Sequence, residues 1–353
     1  MKTILHITEA FGGGIQTALC SYARSSKDDP VTHILLARLR PTDDTGMAIH
    51  SLFSDVKTVQ GGLFTFYLAA RDAVKELQPD VIHLHSSFAG FLGRFLPKGN
   101  AKMVYTPHCY SFERQDISPL MQQVYKRLES LELSRIDVIA GCSVRECELA
   151  LRLGASRAIH LNNYANLSED SSGSNVVTPQ KSSPKQRPPF QLVVVGRVSA
   201  QKDPQFLLDT MKSLQAFPEH EQISITWLGG GNTESEDALK QAGVNVTGMI
   251  PHSQLMQTLE NADLYLHTAA WEGMPLTLLE ASRMQVPMIL RIIGATETLG
   301  FPYLAQTPQN MAEHIVTFCR EPDNPNYQAA LSEINHDFSE EKQRAALLSI
   351  YGA

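Results

Sequence analysis

Paired cysteines, a strong charge of one sign and long apolar runs are all missing from this chain. Its five cysteines form an odd, scattered set without a Cys-x-x-Cys pair. That speaks against a disulfide framework or a zinc knuckle and for a reducing compartment. No apolar stretch approaches the roughly 20 residues of a membrane span. The opening Met1–Ile7 is too short and too polar for the core of a signal peptide. The expectation is therefore a cytoplasmic protein, neither secreted nor membrane-spanning. The net charge of −7 lies in residues 186–353, while residues 1–185 are close to neutral. An acidic half excludes general nucleic-acid binding, which needs a basic field. The near-neutral half is still able to approach an anionic membrane through local patches.

What is present is an ordinary globular composition, 43% apolar and 19% charged, too apolar for a disordered chain. A length of 353 residues suggests two domains. Short β-rich runs alternate with segments of helical period. Strands are expected at Thr3–Ile7, His33–Ala37, Val81–His85, Met103–Thr106, Val138–Ala140 and Ala158–Leu161, with helices such as Phe66–Leu77 and Met121–Ser134 between them. The pattern breaks over Glu169–Pro189, a Ser/Pro/Lys-rich stretch. It restarts with strands at Leu192–Val195, Ile223–Leu228, Val244–Thr247, Leu264–His267 and Pro287–Leu290. This alternation predicts α/β architecture with two doubly wound parallel sheets, whose strand C-termini face a cleft. The expected division is a first domain over 1–168, a linker over 169–189, and a second domain over 190–338. A last helical segment, 339–353, packs back on the first domain in this reading.

Four stretches sit where a strand gives way to a loop or helix. Gly12-Gly13-Gly14 reads either as a tight turn or as a helix start where the backbone approaches an anion. It lacks the G-x-G-x-x-G spacing, and the acid some 20 residues on, of a nicotinamide fingerprint. Gly196-Arg197 with Lys202 places two cations at a strand end, suited to a pyrophosphate or simply solvated. In Trp271-Glu272-Gly273-Met274-Pro275, Pro275 suits a first helical turn. Glu280 follows within that helix, ~10 Å from Glu272. Such a gap is too wide for a retaining glycosidase pair. It suits carboxylates that meet different rings of one ligand, or surface acids near a helix start. His83 and His85 share one face of a strand, but no third ligand at metal spacing follows, so no metal is expected. One buried histidine at a cleft edge is the alternative use. His108, after Thr106-Pro107, is placed for hydrogen bonding or acid–base work.

Taken together, these motifs and Trp227-Leu228-Gly229-Gly230-Gly231 resemble the retaining glycosyltransferases of family 4, which have the GT-B architecture. The resemblance is specific from Gly196 to Glu280 and looser in the first domain. It implies transfer of a sugar from a nucleotide-sugar (a UDP- or GDP-sugar) to a glycan or a polyprenyl- or lipid-linked acceptor in lipopolysaccharide, capsule or other surface-glycan synthesis. It implies no metal and no other cofactor. Arg197 and Lys202 would hold the pyrophosphate, Glu280 the ribose and Glu272 the transferred sugar. Gly196, Gly230, Gly273 and the backbone at Met274, Pro275 and Leu276 would complete the donor site. His108 would sit beside the donor sugar, and Gly13 and Gly14 would allow close approach. The leaving phosphate would itself take the acceptor proton. Two departures, Ile293-Gly294-Ala295-Thr296-Glu297 and Asn232 after the glycines, leave donor specificity open. The competing readings are a GT-B epimerase, a phosphorylase and a non-catalytic nucleotide-sugar-binding protein. Peripheral membrane contact is expected through Phe88–Met103, where Phe91, Leu92, Phe95 and Leu96 alternate with Arg94, Lys98 and Lys102.

Overall fold

A computed structural model describes residues 1–39, 48–166 and 189–353. Except for Pro189, the expected linker lies outside the described residues. The chain divides into two compact units, Met1–Tyr164 with Phe338–Ala353, and Ala165–Asp337.

The first unit holds β1 (Lys2–Thr8), β2 (Val31–Arg38), β3 (Asp55–Val59), β4 (Val81–His85), β5 (Lys102–Thr106), β6 (Val138–Gly141) and β7 (Ala158–His160). They form one sheet in the order β3-β2-β1-β4-β5-β6-β7, and every pairing is parallel. Central strands of such a sheet are covered on both faces, which is why they read as continuous apolar runs. β3 was not expected from the sequence. It is a half-exposed edge strand without such a run.

Alternation along the strands divides the core. Leu5, Ile7, Ile82, Leu84 and Met103 pack with Phe66 and Ala70 of the helix Leu63–Leu77. Ile4, Val31, Val81 and Val104 face the other way, onto Tyr22 of the helix Gly14–Ser25 and onto Leu347, Ile350 and Tyr351 of the helix Glu340–Tyr351. Each fully buried aliphatic side chain stabilises the fold by about 1.5–3 kcal/mol. The last helix is further tied down by buried Gln343. Its amide accepts from Ser25 at 3.0 Å and donates to the Ser21 hydroxyl at 3.1 Å and the Asn162 carbonyl at 2.8 Å. The polar stretch before it is itself a helix, Pro325–Asp337.

Two expectations need correction here. The helix expected over Met121–Ser134 runs from Pro119 to Ser130, capped by Ser118, and ends where Leu131 turns extended. The surface expected over Phe88–Met103 does not exist as drawn, because Arg94 is fully buried. Its guanidinium donates to Glu129 Oε2 at 3.0 Å and to the carbonyls of Glu129 and Leu131 at 2.7 Å. Arg94 thus satisfies the free carbonyls at the end of the helix Pro119–Ser130. Lys98 pairs with Asp137, Lys102 donates to the Ile350 carbonyl, and Leu96 is buried.

The second unit holds β8 (Phe190–Val195), β9 (Ile223–Leu228), β10 (Asn245–Val246), β11 (Leu264–His267), β12 (Met288–Arg291) and β13 (Leu304–Ala305). Their order is β10-β9-β8-β11-β12-β13, again parallel. β13 has only two residues, too few to show a period. In both sheets the strand order reverses beside the first strand, between β1 and β4 and between β8 and β11. Ligands of doubly wound sheets bind beyond the strand C-termini at such a switch point.

Candidate active site

The second switch point lies beyond Val195 and His267, and the chain there is shaped by glycines. Gly196 has φ +137°, and a Cβ on it would lie 2.6 Å from Lys202 Cε. The lysine stem therefore lies directly across the glycine. Its ammonium meets Glu272 Oε1 at 2.6 Å, with the two side chains only 16% and 15% exposed. Gly229 and Gly231 press against the backbone of this loop. A Cβ on either would fall 2.3 Å from a carbonyl oxygen, that of Gly196 or of Val198. Gly230 accepts from the Val198 amide at 3.1 Å, so the two glycine loops are laced together. Arg197 is exposed, and its side chain has no partner among the described residues.

Around this pair the structure adds residues that the sequence reading did not single out. Asp203, left-handed at φ 49°, caps the helix Pro204–Leu214 and accepts from Arg291 Nη1 at 2.6 Å. Arg291 also donates to the Thr268 carbonyl, while the Thr268 hydroxyl donates to the Lys202 carbonyl at 2.6 Å. His267 is buried, and neither ring nitrogen has a hydrogen-bond partner among the described residues. Burial, then Lys202 and Arg291, hold its pKa well below the usual imidazole value. Arg291 ends β12, one residue beyond the strand expected there, and nothing local marks it as a site residue.

The Glu272 loop leads into the helix Leu276–Arg283. Pro275 is its N-cap rather than its first helical residue, and no side chain caps that end. Its first amides remain available to an anion. Gly273, Met274 and Pro275 are buried, and Leu276 is half-buried. Glu280, half-buried, lies 3.8 Å from His252 Nε2. Glu297 is exposed in a short turn of helix, Gly294–Glu297.

In the first unit, Gly13 has φ 53° and starts the helix Gly14–Ser25 with no side-chain cap. Gly13 and Gly14 are both exposed. Glu9 closes the switch point by accepting from Ser86 Oγ at 2.5 Å and from the Ala89 amide at 2.8 Å. His108 and Cys109 follow β5 with φ 52° and 82°. Such non-glycine conformations cost of order 1–3 kcal/mol each. Glu146 offsets part of this by accepting from the amides of Cys109 and Cys142.

His83 and His85 are not alone. His6 on β1 joins them, so a third imidazole does lie within ligand distance, all donor nitrogens being within 4.8 Å. The rings bond to one another and to hydroxyls instead. His6 Nδ1 lies 2.9 Å from His85 Nε2, and His83 meets Tyr351 at 2.9 Å and Thr106 at 2.8 Å. Two nitrogens on one tetrahedral zinc would stand ~3.3 Å apart, wider than the His6–His85 pair. Sequence reasoning missed His6 and His33 because each is one residue in an otherwise apolar strand.

Two doubly wound parallel sheets, the second with cations gathered at its switch point, define a transferase of the GT-B architecture. A family model described as glycosyl transferases group 1 matches residues 189–321, and one described as glycosyl transferase 4-like domain matches residues 13–162. The chain belongs to this family and is a glycosyltransferase. It is 26% identical over 307 residues to an uncharacterized 41.2 kDa protein in the cps region of Klebsiella pneumoniae, covering 83% of this chain and 81% of that one. It is 24% identical over 265 residues to a UDP-Gal:alpha-D-GlcNAc-diphosphoundecaprenol alpha-1,3-galactosyltransferase of Escherichia coli, covering 70% and 65% of the two chains. The structure of Anabaena HepE in complex with UDP superposes with a TM-score of 0.73 at 17% identity, over 100% of both chains.

Proposed function

We propose that this glycosyltransferase moves a sugar from a UDP- or GDP-sugar, with retention and without a metal ion, to a glycan or lipid-linked glycan acceptor in cell-surface polysaccharide synthesis. The observation that carries this reading is Lys202, held by Glu272 across Gly196 beside the exposed Arg197. A point charge and a guanidinium fork at one strand end suit a pyrophosphate whose charge grows as the glycosidic bond breaks. Glu280 would receive ribose hydroxyls and Glu272 hydroxyls of the transferred sugar. The amides at the start of the helix Leu276–Arg283 would add to the phosphate cradle. His108 would serve as the hydrogen-bonding imidazole of the first unit. The UDP complex of the HepE neighbour and the lipid diphosphate in the galactosyltransferase's name support the donor and acceptor classes.

The same reading places the protein in the cytoplasm, peripherally on the inner face of the membrane. No helix of the described residues is long and apolar enough to cross one. The helix Pro119–Ser130 supports lipid contact. Leu120, Met121, Val124 and Leu128, with Leu131 just beyond, are 38–76% exposed at helical spacing, and exposed Lys126 and Arg127 lie among them. Apolar residues flanked by cations suit an anionic bilayer surface.

The test is a thermal-shift panel of UDP, GDP, ADP and CDP, followed by turnover. One diphosphate is expected to raise the melting temperature in the wild type and not in Arg197→Ala. Lys202→Ala is expected to lose about a hundredfold or more in transfer. No shift from any diphosphate, or wild-type turnover in Lys202→Ala, would overturn the assignment.

A further inference from the structure

Four imidazoles of the first unit form one hydrogen-bonded row. His33 Nδ1 meets His6 Nε2 at 2.9 Å, His6 Nδ1 meets His85 Nε2 at 2.9 Å, and His85 Nδ1 meets His108 Nε2 at 3.2 Å. The sheet register builds the row: Ile4 pairs with His33, His6 with His83, and Thr8 with His85. At the far end His33 Nε2 lies 2.9 Å from the hydroxyl of Ser26.

That hydroxyl gives the row a direction. Ser26 Oγ donates its only hydrogen to the Tyr22 carbonyl at 2.7 Å, so towards His33 it acts as an acceptor. His33 must then carry its proton on Nε2. A neutral imidazole has one N–H and one bare nitrogen, so His33 Nδ1 accepts from His6 Nε2. By the same rule His6 Nδ1 accepts from His85, and His85 Nδ1 accepts from His108 Nε2. The last bare nitrogen is His108 Nδ1, on a half-buried ring at the end of β5.

We infer that Ser26, His33, His6 and His85 are positioning residues that lock His108 in its Nε2–H tautomer, so that Nδ1 accepts a hydrogen bond from a hydroxyl of sugar substrate at the C-terminal edge of the first sheet. The inference rests on the glycosyltransferase reading for its substrate and on hydrogen-bond geometry among neutral rings for its tautomer. All four rings remain neutral because burial lowers their pKa values, to about 4 for His33 and His108. His83 stands beside the row, with both nitrogens committed to Tyr351 and Thr106.

Ser26→Ala removes only the anchor. His33 then lacks an acceptor on its Nε2 side, and the row is free to reverse until His108 carries its proton on Nδ1. The experiment is a long-range nitrogen–proton correlation spectrum of protein labelled with 15N-histidine, run beside transfer assays. In the wild type, His33, His6, His85 and His108 are expected to be protonated on Nε2. In Ser26→Ala, His108 is expected to be protonated on Nδ1 and kcat to fall roughly tenfold. The fold and nucleoside diphosphate affinity should be retained, with a melting temperature lower by a few degrees for the stranded His33 nitrogen, and Ser26→Thr should restore both tautomer and kcat.

A wild-type His108 protonated on Nδ1, or tautomers unchanged by Ser26→Ala, would overturn the inference. So would a stoichiometric metal ion that is lost with His6→Ala. Reversed tautomers with unchanged kcat would overturn the role given to His108. The tautomers are read without substrate, so a wild type that transferred no sugar would count against the proposed function and leave the row standing.

Discussion

A single methyl group at Gly196 tests the proposed donor site most sharply. In Gly196→Ala the new Cβ would sit 2.6 Å from Lys202 Cε and 3.1 Å from its Cδ and Cγ. The stem is flexible and will move, but the move takes the ammonium away from its 2.6 Å contact with Glu272 Oε1. The backbone stays at φ +137° because Gly196 donates to Leu228 and accepts from the Trp227 indole at 2.8 Å. Alanine in that region is strained by about 1–3 kcal/mol. A loss of ~2 kcal/mol lowers the melting temperature of a unit of this size by about 4–8 °C. Displacing one oriented cation from the leaving group costs a further ten- to hundredfold in kcat/KM. Scanning calorimetry and steady-state transfer read the two effects separately. An alanine variant with both wild-type melting and wild-type kcat/KM would show that Lys202 does not act from across Gly196.

Other outcomes follow from the same reasoning. Arg94→Met is expected to destabilise the first unit by ~3–5 kcal/mol in chemical denaturation, because it strands the buried Glu129 carboxylate. Arg94→Met with Glu129→Leu should recover much of that loss. Stability should fall as pH drops from the unfolded histidine pKa of 6.5 towards 4, since six buried histidines with lowered pKa values, His267 among them, take up protons only on unfolding. Glu113 works the other way. Burial, then Glu146, raises its pKa from 4.5 to about 7, so its contribution is complete below 4.5 and lost as pH rises through about 7. Melting curves from pH 4 to 8 should therefore show a steep acid limb, six imidazoles outweighing the three carboxyls of Glu113, Glu129 and Glu146, whose pKa values are raised; a flat profile over that range would contradict the buried neutral histidines. Leu120→Glu with Leu128→Glu should abolish co-sedimentation with anionic liposomes while transfer to a soluble acceptor persists; unchanged sedimentation would remove the membrane face.

The central strands of both sheets were legible in the sequence. Strands buried on both faces are mainly apolar, and β4, β8 and β11 are short, mainly apolar runs followed by a serine, a glycine or a threonine. The edge strand β3 and the two-residue β13 were not, since a strand that buries little carries little pattern. Helix ends moved by a few residues for a similar reason. Ser118 caps the helix Pro119–Ser130, and buried Arg94, just past the helix Ser87–Gly93, satisfies the carbonyls at its other end.

The candidate loops stood out because their signals are local. Gly196, Arg197 and Lys202 follow one strand directly, and Glu272 to Glu280 span one loop and helix, but the Lys202–Glu272 pair itself joins loops 70 residues apart. Arg291 and Thr268 could not be read, since only the strand order β8-β11-β12 brings them to Lys202. The same holds more strongly in the first unit. His33, His6, His85 and His108 lie on or just after four different strands; His85 and His108 stood out singly in the sequence, but nothing local joins them to His6 and His33. Parallel pairing of β2, β1, β4 and β5 aligns them, and Ser26 then sets the direction of their protons. Composition, alternation and local motifs thus determined the class of fold and the two candidate loops, because helix and strand period and turn chemistry act over a few residues. The register between strands, a long-range property, decided which buried polar groups became neighbours.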